Sequence, residues 1–173
     1  MRKLTPLVVA SMLLSLNACS SYRGTDKLVI SQGSTFALMP FDNQSNTPMA
    51  AQNVKNIVSS ELVARNLKYV TFENTQEPED LKSILDDNFE KRQAKEWLNT
   101  ASYNYVLLGS VDEWNYKAGL DGEPVVSVTI EISDANGKVL YKKTGSRSGF
   151  GRESLNGAGQ DVIEKILSDI SYN

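Results

Sequence analysis

Residues 124–133, PVVSVTIEIS, alternate without a break. Val126, Val128, Ile130 and Ile132 fall on one side, and Val125, Ser127, Thr129 and Glu131 on the other. A period of two predicts an antiparallel strand with one face buried and one face wet. Asp134-Ala135-Asn136-Gly137 reads as a hairpin turn, and KVLYKKTG, 138–145, as the returning strand. Upstream, 103–119 begins apolar on both faces and ends mixed, which predicts a strand covered at one end and open at the other. The three strands are expected to form a meander.

The first half has a different rhythm. TFALMPF, 35–41, is an apolar run closed by a polar loop, and predicts a buried strand. Thr47 and Pro48 then stand where an N-cap and a first helical residue would, and Val54, Ile57, Val58, Leu62 and Leu67 recur at helical spacing over 48–67. KYVTFE, 68–73, predicts a short strand. Residues 79–101 carry an apolar stripe that includes Leu81, Ile84, Phe89, Trp97 and Leu98, with a break expected near Asn88 and Trp97 expected in the core. Near the C-terminus, Leu155, Ala158, Val162, Ile163, Ile166, Leu167 and Ile170 predict an amphipathic helix. The order is β-α-β-α-β-β-β-α. It fits one α/β (α+β) domain: a mixed, mostly antiparallel sheet covered by helices.

The N-terminus does not belong to that domain. Arg2 and Lys3 precede a short apolar run, Leu7 to Leu16, and Ala18 precedes Cys19. This is the layout of a secretory signal over 1–18, too short to span a bilayer comfortably. LNAC resembles the lipobox of bacterial lipoproteins, with Asn17 a departure from the usual small or apolar residue. Cys19 is then the lipid-bearing first mature residue; the alternative is a buried free cysteine behind an ordinary cleaved signal. In such lipoproteins an Asp after the cysteine favours retention in the inner membrane; Ser20 stands there, which points to the periplasmic face of the outer membrane. Residues 19–33, polar and without period, read as a lipidated tether, and 34–173 as a single periplasmic domain.

Composition narrows the chemistry. The chain has 173 residues, one cysteine and no histidine. Ser-His-Asp and Cys-His catalysis and His-based metal sites are therefore out. With Cys19 taken by lipid, thiolate chemistry goes too, and neither a metal nor a cofactor is expected. Removing 1–18 takes two of the 18 basic residues and none of the 21 acidic ones, so the formal charge falls from −3 to −5. A mildly acidic chain does not suggest nucleic acid, and suits a cationic partner.

Three stretches carry a resemblance: MPFDNQSNTPMA (39–50), GSVDEWNYKAGLDGEP (109–124) and GSRSGFGRES (145–154). In that order, behind a lipobox, they resemble the PelC family, the outer-membrane lipoproteins of Pel exopolysaccharide export. The resemblance implies a fold similar to the periplasmic domains of curli-secretion lipoproteins. It also implies a homo-oligomeric ring of about a dozen subunits on the inner leaflet of the outer membrane. Its partners would be lipid, a PelB-like export porin joined to a helical-repeat scaffold, and a cationic amino-sugar polymer. An aromatic belt would face the membrane, and an acidic funnel facing the periplasm would guide the polymer to the porin.

Residue by residue, the loop position that is typically Trp in the family is Phe150 here, which the resemblance puts in the belt, with Arg147 and Arg152 near lipid phosphates. The alternative is that Phe150 packs beneath the C-terminal helix. Asp121 is the funnel residue carried over from the family; Glu123, Asp112 and Glu113 are added from the sequence. Asp121-Gly122 is also an ordinary turn pair. Trp114 and Tyr116 are expected either to stack on sugar rings or to pack against the next subunit.

Two other functions compete. A glycosidase would need a carboxylate pair, and Asp112/Glu113 or Asp121/Glu123 are the candidates. Neighbours on a strand point to opposite faces, so Asp112 and Glu113 do not readily share a site. No enzyme is expected. The remaining alternative is a periplasmic lipoprotein that activates or escorts another envelope protein, such as a cell-wall synthase or a curli-type secretion component. Such a protein would lack the WxYKxGxDGEP stretch.

Overall fold

A computed structural model describes residues 19–73, 87–118, 122–149 and 153–173. Apolar alternation and helical stripes put most of the expected elements in place. The strands are β1 (Cys19–Gly24), β2 (Leu28–Ile30), β3 (Thr35–Leu38), β4 (Asp42–Asn43), β5 (Lys68–Thr71), β6 (Tyr105–Tyr116), β7 (Pro124–Asp134), β8 (Val139–Ser148) and β9 (Ile170–Tyr172). The helices are α1 (Ala50–Ala64), α2 (Asp87–Leu98) and α3 (Leu155–Leu167). One sheet runs β1-β8-β7-β6-β3-β5, with β4 also on β6; β2 and β9 pair separately. The β6-β7-β8 meander and the β1 edge are antiparallel, while β6, β3 and β5 run parallel through helical crossovers. The domain is thus the mixed, mostly antiparallel α/β fold that the pattern predicts.

The inner face of the sheet packs on α1 and α3. Val126, Val128, Ile130 and Ile132 of β7 are fully buried there, beneath Val162, Ile163, Ile166 and Leu167 of α3 and Val54, Val58 and Leu62 of α1. α2 covers part of the opposite face, where Ala94 packs with Met39 and Val106, and Trp97 and Phe72 add half-buried rings. The outer face of β7, β8 and β1 has no helix over it among the described residues. Its side chains are hydroxyls and charges: Thr129 donates to Asp112 (3.0 Å) and shares a hydrogen bond with Thr144 (2.8 Å), and Lys142 pairs with Glu131 (2.7 Å).

Several expectations change. Residues 19–33, read as a tether, carry two strands: β1 pairs along its length with β8, and β2 pairs in parallel with β9. An edge strand with one wet face needs few apolar side chains, so its sequence stays polar. Thr47 does not cap α1. The residue before the helix is Met49, in the left-handed region (φ 59°), and the Thr47 hydroxyl donates to the Trp114 carbonyl instead. Ile170 leaves α3 and joins β9. Of the stripe over 79–101, residues up to 86 lie outside the described residues, and so does most of the turn after β5.

Candidate functional site

The ends of β6 and β8 and the starts of β7 and β1 meet at one end of the sheet. The register places Cys19 opposite Ser148 and Val125 opposite the same Ser148, with Tyr116 opposite Pro124. The two loops that the sequence marks, 117–123 and 149–153, therefore leave the sheet beside Cys19. The main chain closes the first with Lys117 N–H donating to the Glu123 carbonyl (2.8 Å) and ties the second down through Gly149 N–H to the Pro124 carbonyl (2.8 Å). Gly122 sits at φ 52°, the left-handed conformation that an Asp-Gly turn requires. Asp121, Phe150 and Arg152 lie outside the described residues.

Cys19 is a free, exposed thiol at the head of β1. Beside it, on the outer face, is a cavity of about 490 Å³ lined by Cys19, Glu113, Lys117, Glu123, Ser146 and Ser148, among others. Lys117 Nζ donates to Ser148 Oγ (2.7 Å) and lies 3.7 Å from a Glu123 carboxylate oxygen. Glu113 is exposed and has no ion-pair or hydrogen-bond partner among the described residues. The site thus holds Lys117, two carboxylates and several hydroxyls within one concave surface, with the carboxylate-paired Arg147 also in its lining.

Asp112 and Glu113 do not alternate. β6 slips register between Val111 and Glu113, so Val111 and Trp114 both stay buried on the inner face. The bulge leaves both carboxylates on the outer face, Asp112 accepting from Ser110 (2.7 Å) and Thr129 and Glu113 opposite Ser127. Strand alternation alone had separated them.

Trp114 is buried within the domain rather than presented to a sugar or to a neighbouring subunit: it is 1% exposed and packs against Gly159 of α3. Its position two residues short of the strand end puts it inside the inner core. Tyr116 is 50% exposed, and its hydroxyl oxygen accepts from the Leu155 N–H (3.2 Å) at the start of α3. Arg147 faces inward rather than toward lipid phosphate. Glu153 holds its guanidinium at 2.9 Å and Asp161 at 3.1 Å, locking β8 to the start of α3. Two carboxylates already neutralise it, so a lipid phosphate gains little there.

No protein-family model and no curated protein sequence matches the chain. Among solved structures, the PelC dodecamer of Paraburkholderia phytofirmans superposes with a TM-score of 0.72 at 30% identity, over 90% of this chain and 100% of that one. The chain belongs to the PelC family. A singly substituted form of the same Paraburkholderia dodecamer gives 0.74 at 31% identity with the same coverage. Lipoprotein GNA1162 of Neisseria meningitidis shares the fold, with a TM-score of 0.54 at 18% identity over 78% of this chain and 99% of that one. This PelC-family domain thus places at one end the Cys19 thiol and the strand ends from which the segments 117–123 and 149–153 continue. Lys117, Ser146 and Ser148 were not foreseen as site residues; only the pairing of β1 with β8 reveals them. Among the described residues no helix is long and apolar enough to cross a membrane.

Proposed function

We propose that this chain is a non-catalytic, lipid-anchored ring subunit of Pel exopolysaccharide export. The observation that carries the reading is the match to a PelC dodecamer over nearly the whole chain. Acyl chains on Cys19 hold the subunit at the periplasmic face of the outer membrane. Cys19 opens a strand that is hydrogen-bonded into the sheet, so the anchor fixes the orientation of the domain as well as its distance from the lipid. The loop containing Phe150 leaves β8 beside that anchor, which suits an aromatic belt at the lipid interface.

In a closed ring the charge argument changes scale. Twelve copies at −5 each carry about −60, and a concave acidic lumen concentrates a passing cationic polymer. Asp121 is the residue assigned to that lumen. The contacts there are weak and repeated, because one tight site would stop transport. The ring hands the polymer to an export porin in the outer membrane.

The full-length chain, purified from membranes in detergent and weighed by native mass spectrometry over a range of concentrations, is expected to give a closed ring of about a dozen subunits. A monomer at every concentration, in detergent and in bilayer discs alike, sinks the ring reading and favours an escort role. In the ring, Asp121→Asn is expected to reduce polymer export at unchanged protein level; unchanged export removes Asp121 from the lumen.

A further inference from the structure

Glu113 and Glu123, expected from the sequence in the polymer-guiding funnel, stand instead in the cavity beside the anchor residue Cys19. The cavity's volume, about 490 Å³, is in the range of small-ligand sites. Its chemistry is mixed in a specific way. Lys117 and the Ser146 and Ser148 hydroxyls supply a cation and donors. Glu113 and Glu123 supply two carboxylates beside them, Glu123 at 3.7 Å from Lys117 and Glu113 unpartnered among the described residues. A ligand that satisfies both halves carries an anion and an ammonium a few bonds apart.

We infer that this cavity binds a phospholipid headgroup carrying a phosphate and a primary ammonium. The phosphate lies on Lys117 and the serine hydroxyls, and the ammonium on Glu113 and Glu123. The position of the anchor selects lipid over other zwitterions: Cys19 itself lines the cavity, so acyl chains on its sulfur start where the headgroup of a neighbouring lipid ends. The inference rests on the reading of Cys19 as the lipid-bearing residue. The bound ammonium also gives Glu113 a partner at the membrane end, where an unpaired charge near lipid is costly.

The test uses the full-length chain from membranes, delipidated in detergent and titrated with phosphatidylethanolamine, phosphatidylcholine or phosphatidylglycerol, with adducts counted by native mass spectrometry. The wild type is expected to retain phosphatidylethanolamine several-fold better than the other two lipids. Glu113→Gln is expected to lower that retention about tenfold and leave phosphatidylglycerol unchanged. Lys117→Met is expected to weaken both. Equal retention of all three lipids, or a Glu113→Gln variant that behaves as wild type, overturns the inference. Binding of glucosamine oligomers in place of lipid overturns it too, and gives the cavity to the polymer. The same spectra report the acyl mass on Cys19. An unacylated chain removes the anchor premise, and the inference with it; an acylated chain with no lipid preference refutes the headgroup site alone.

Discussion

Trp114→Ala is expected to destabilise the domain by about 3–5 kcal/mol, the range for losing a large buried aromatic. Trp114 is among the largest fully buried side chains, and it reaches across from β6 to α3. There its ring lies on Gly159: a Cβ built at that position meets Trp114 Cη2 at 2.2 Å and Cζ3 at 2.6 Å. Glycine inside a helix costs about 1 kcal/mol against alanine. That preference alone would make Gly159→Ala stabilising. The overlap is far inside contact distance, so steric repulsion wins and Gly159→Ala is expected to destabilise by about 1–3 kcal/mol, as overpacked cores do. The two changes are strongly coupled. With Trp114 already replaced by Ala, Gly159→Ala is expected to cost nothing or to stabilise. Urea unfolding of the four proteins measures this directly. Additive effects across the cycle show that Trp114 does not rest on Gly159.

Legibility in the sequence followed burial on one face. β7 was readable residue by residue because the helix side of the sheet is dry and the other side wet, which writes a period of two into the chain. α3 was readable for the same reason at a period of 3.6, although Gly159 gave no hint that it makes room for a tryptophan. β1 was not readable: it is a polar edge strand, held by main-chain pairing with β8, and only Tyr22 packs inward, against Gly145. The bulge at Asp112 was invisible as well, since it shows only as a lost register against β7. The candidate site divides along the same line. The two marked loops were found from sequence motifs, but their meeting with Cys19 depends on β1. Arg147, a plausible lipid contact on a loop, proved to be a strand residue whose partners Glu153 and Asp161 lie after the turn.

At the opposite end of the meander from the anchor, Tyr141 gives a pH dependence whose sign can be worked out. Its side chain is fully buried, and its hydroxyl donates to the Ile166 carbonyl (2.8 Å) and to an Asp169 carboxylate oxygen (3.3 Å). Asp169 also pairs with Lys143, so β8 is joined to the end of α3. Burial pushes the Tyr141 hydroxyl well above the usual tyrosine range, and the nearby Asp169 charge and the hydrogen bond to it push the same way. The folded state thus holds the proton more tightly than the unfolded chain, whose tyrosines ionise near pH 10. The contribution to stability is complete below about pH 10 and is lost as pH rises above it, because the unfolded chain then releases a proton that the fold retains. Tyr141→Phe removes this linkage but strands the Ile166 carbonyl, a loss of about 1–3 kcal/mol. Wild type is therefore expected to be the more stable at pH 8, by about that amount, and the gap is expected to narrow steadily between pH 10 and 11.5. Urea midpoints for both proteins across that range give the comparison. A gap that stays constant would mean that Tyr141 ionises as freely in the fold as out of it, and that the link between β8 and α3 does not depend on a neutral phenol.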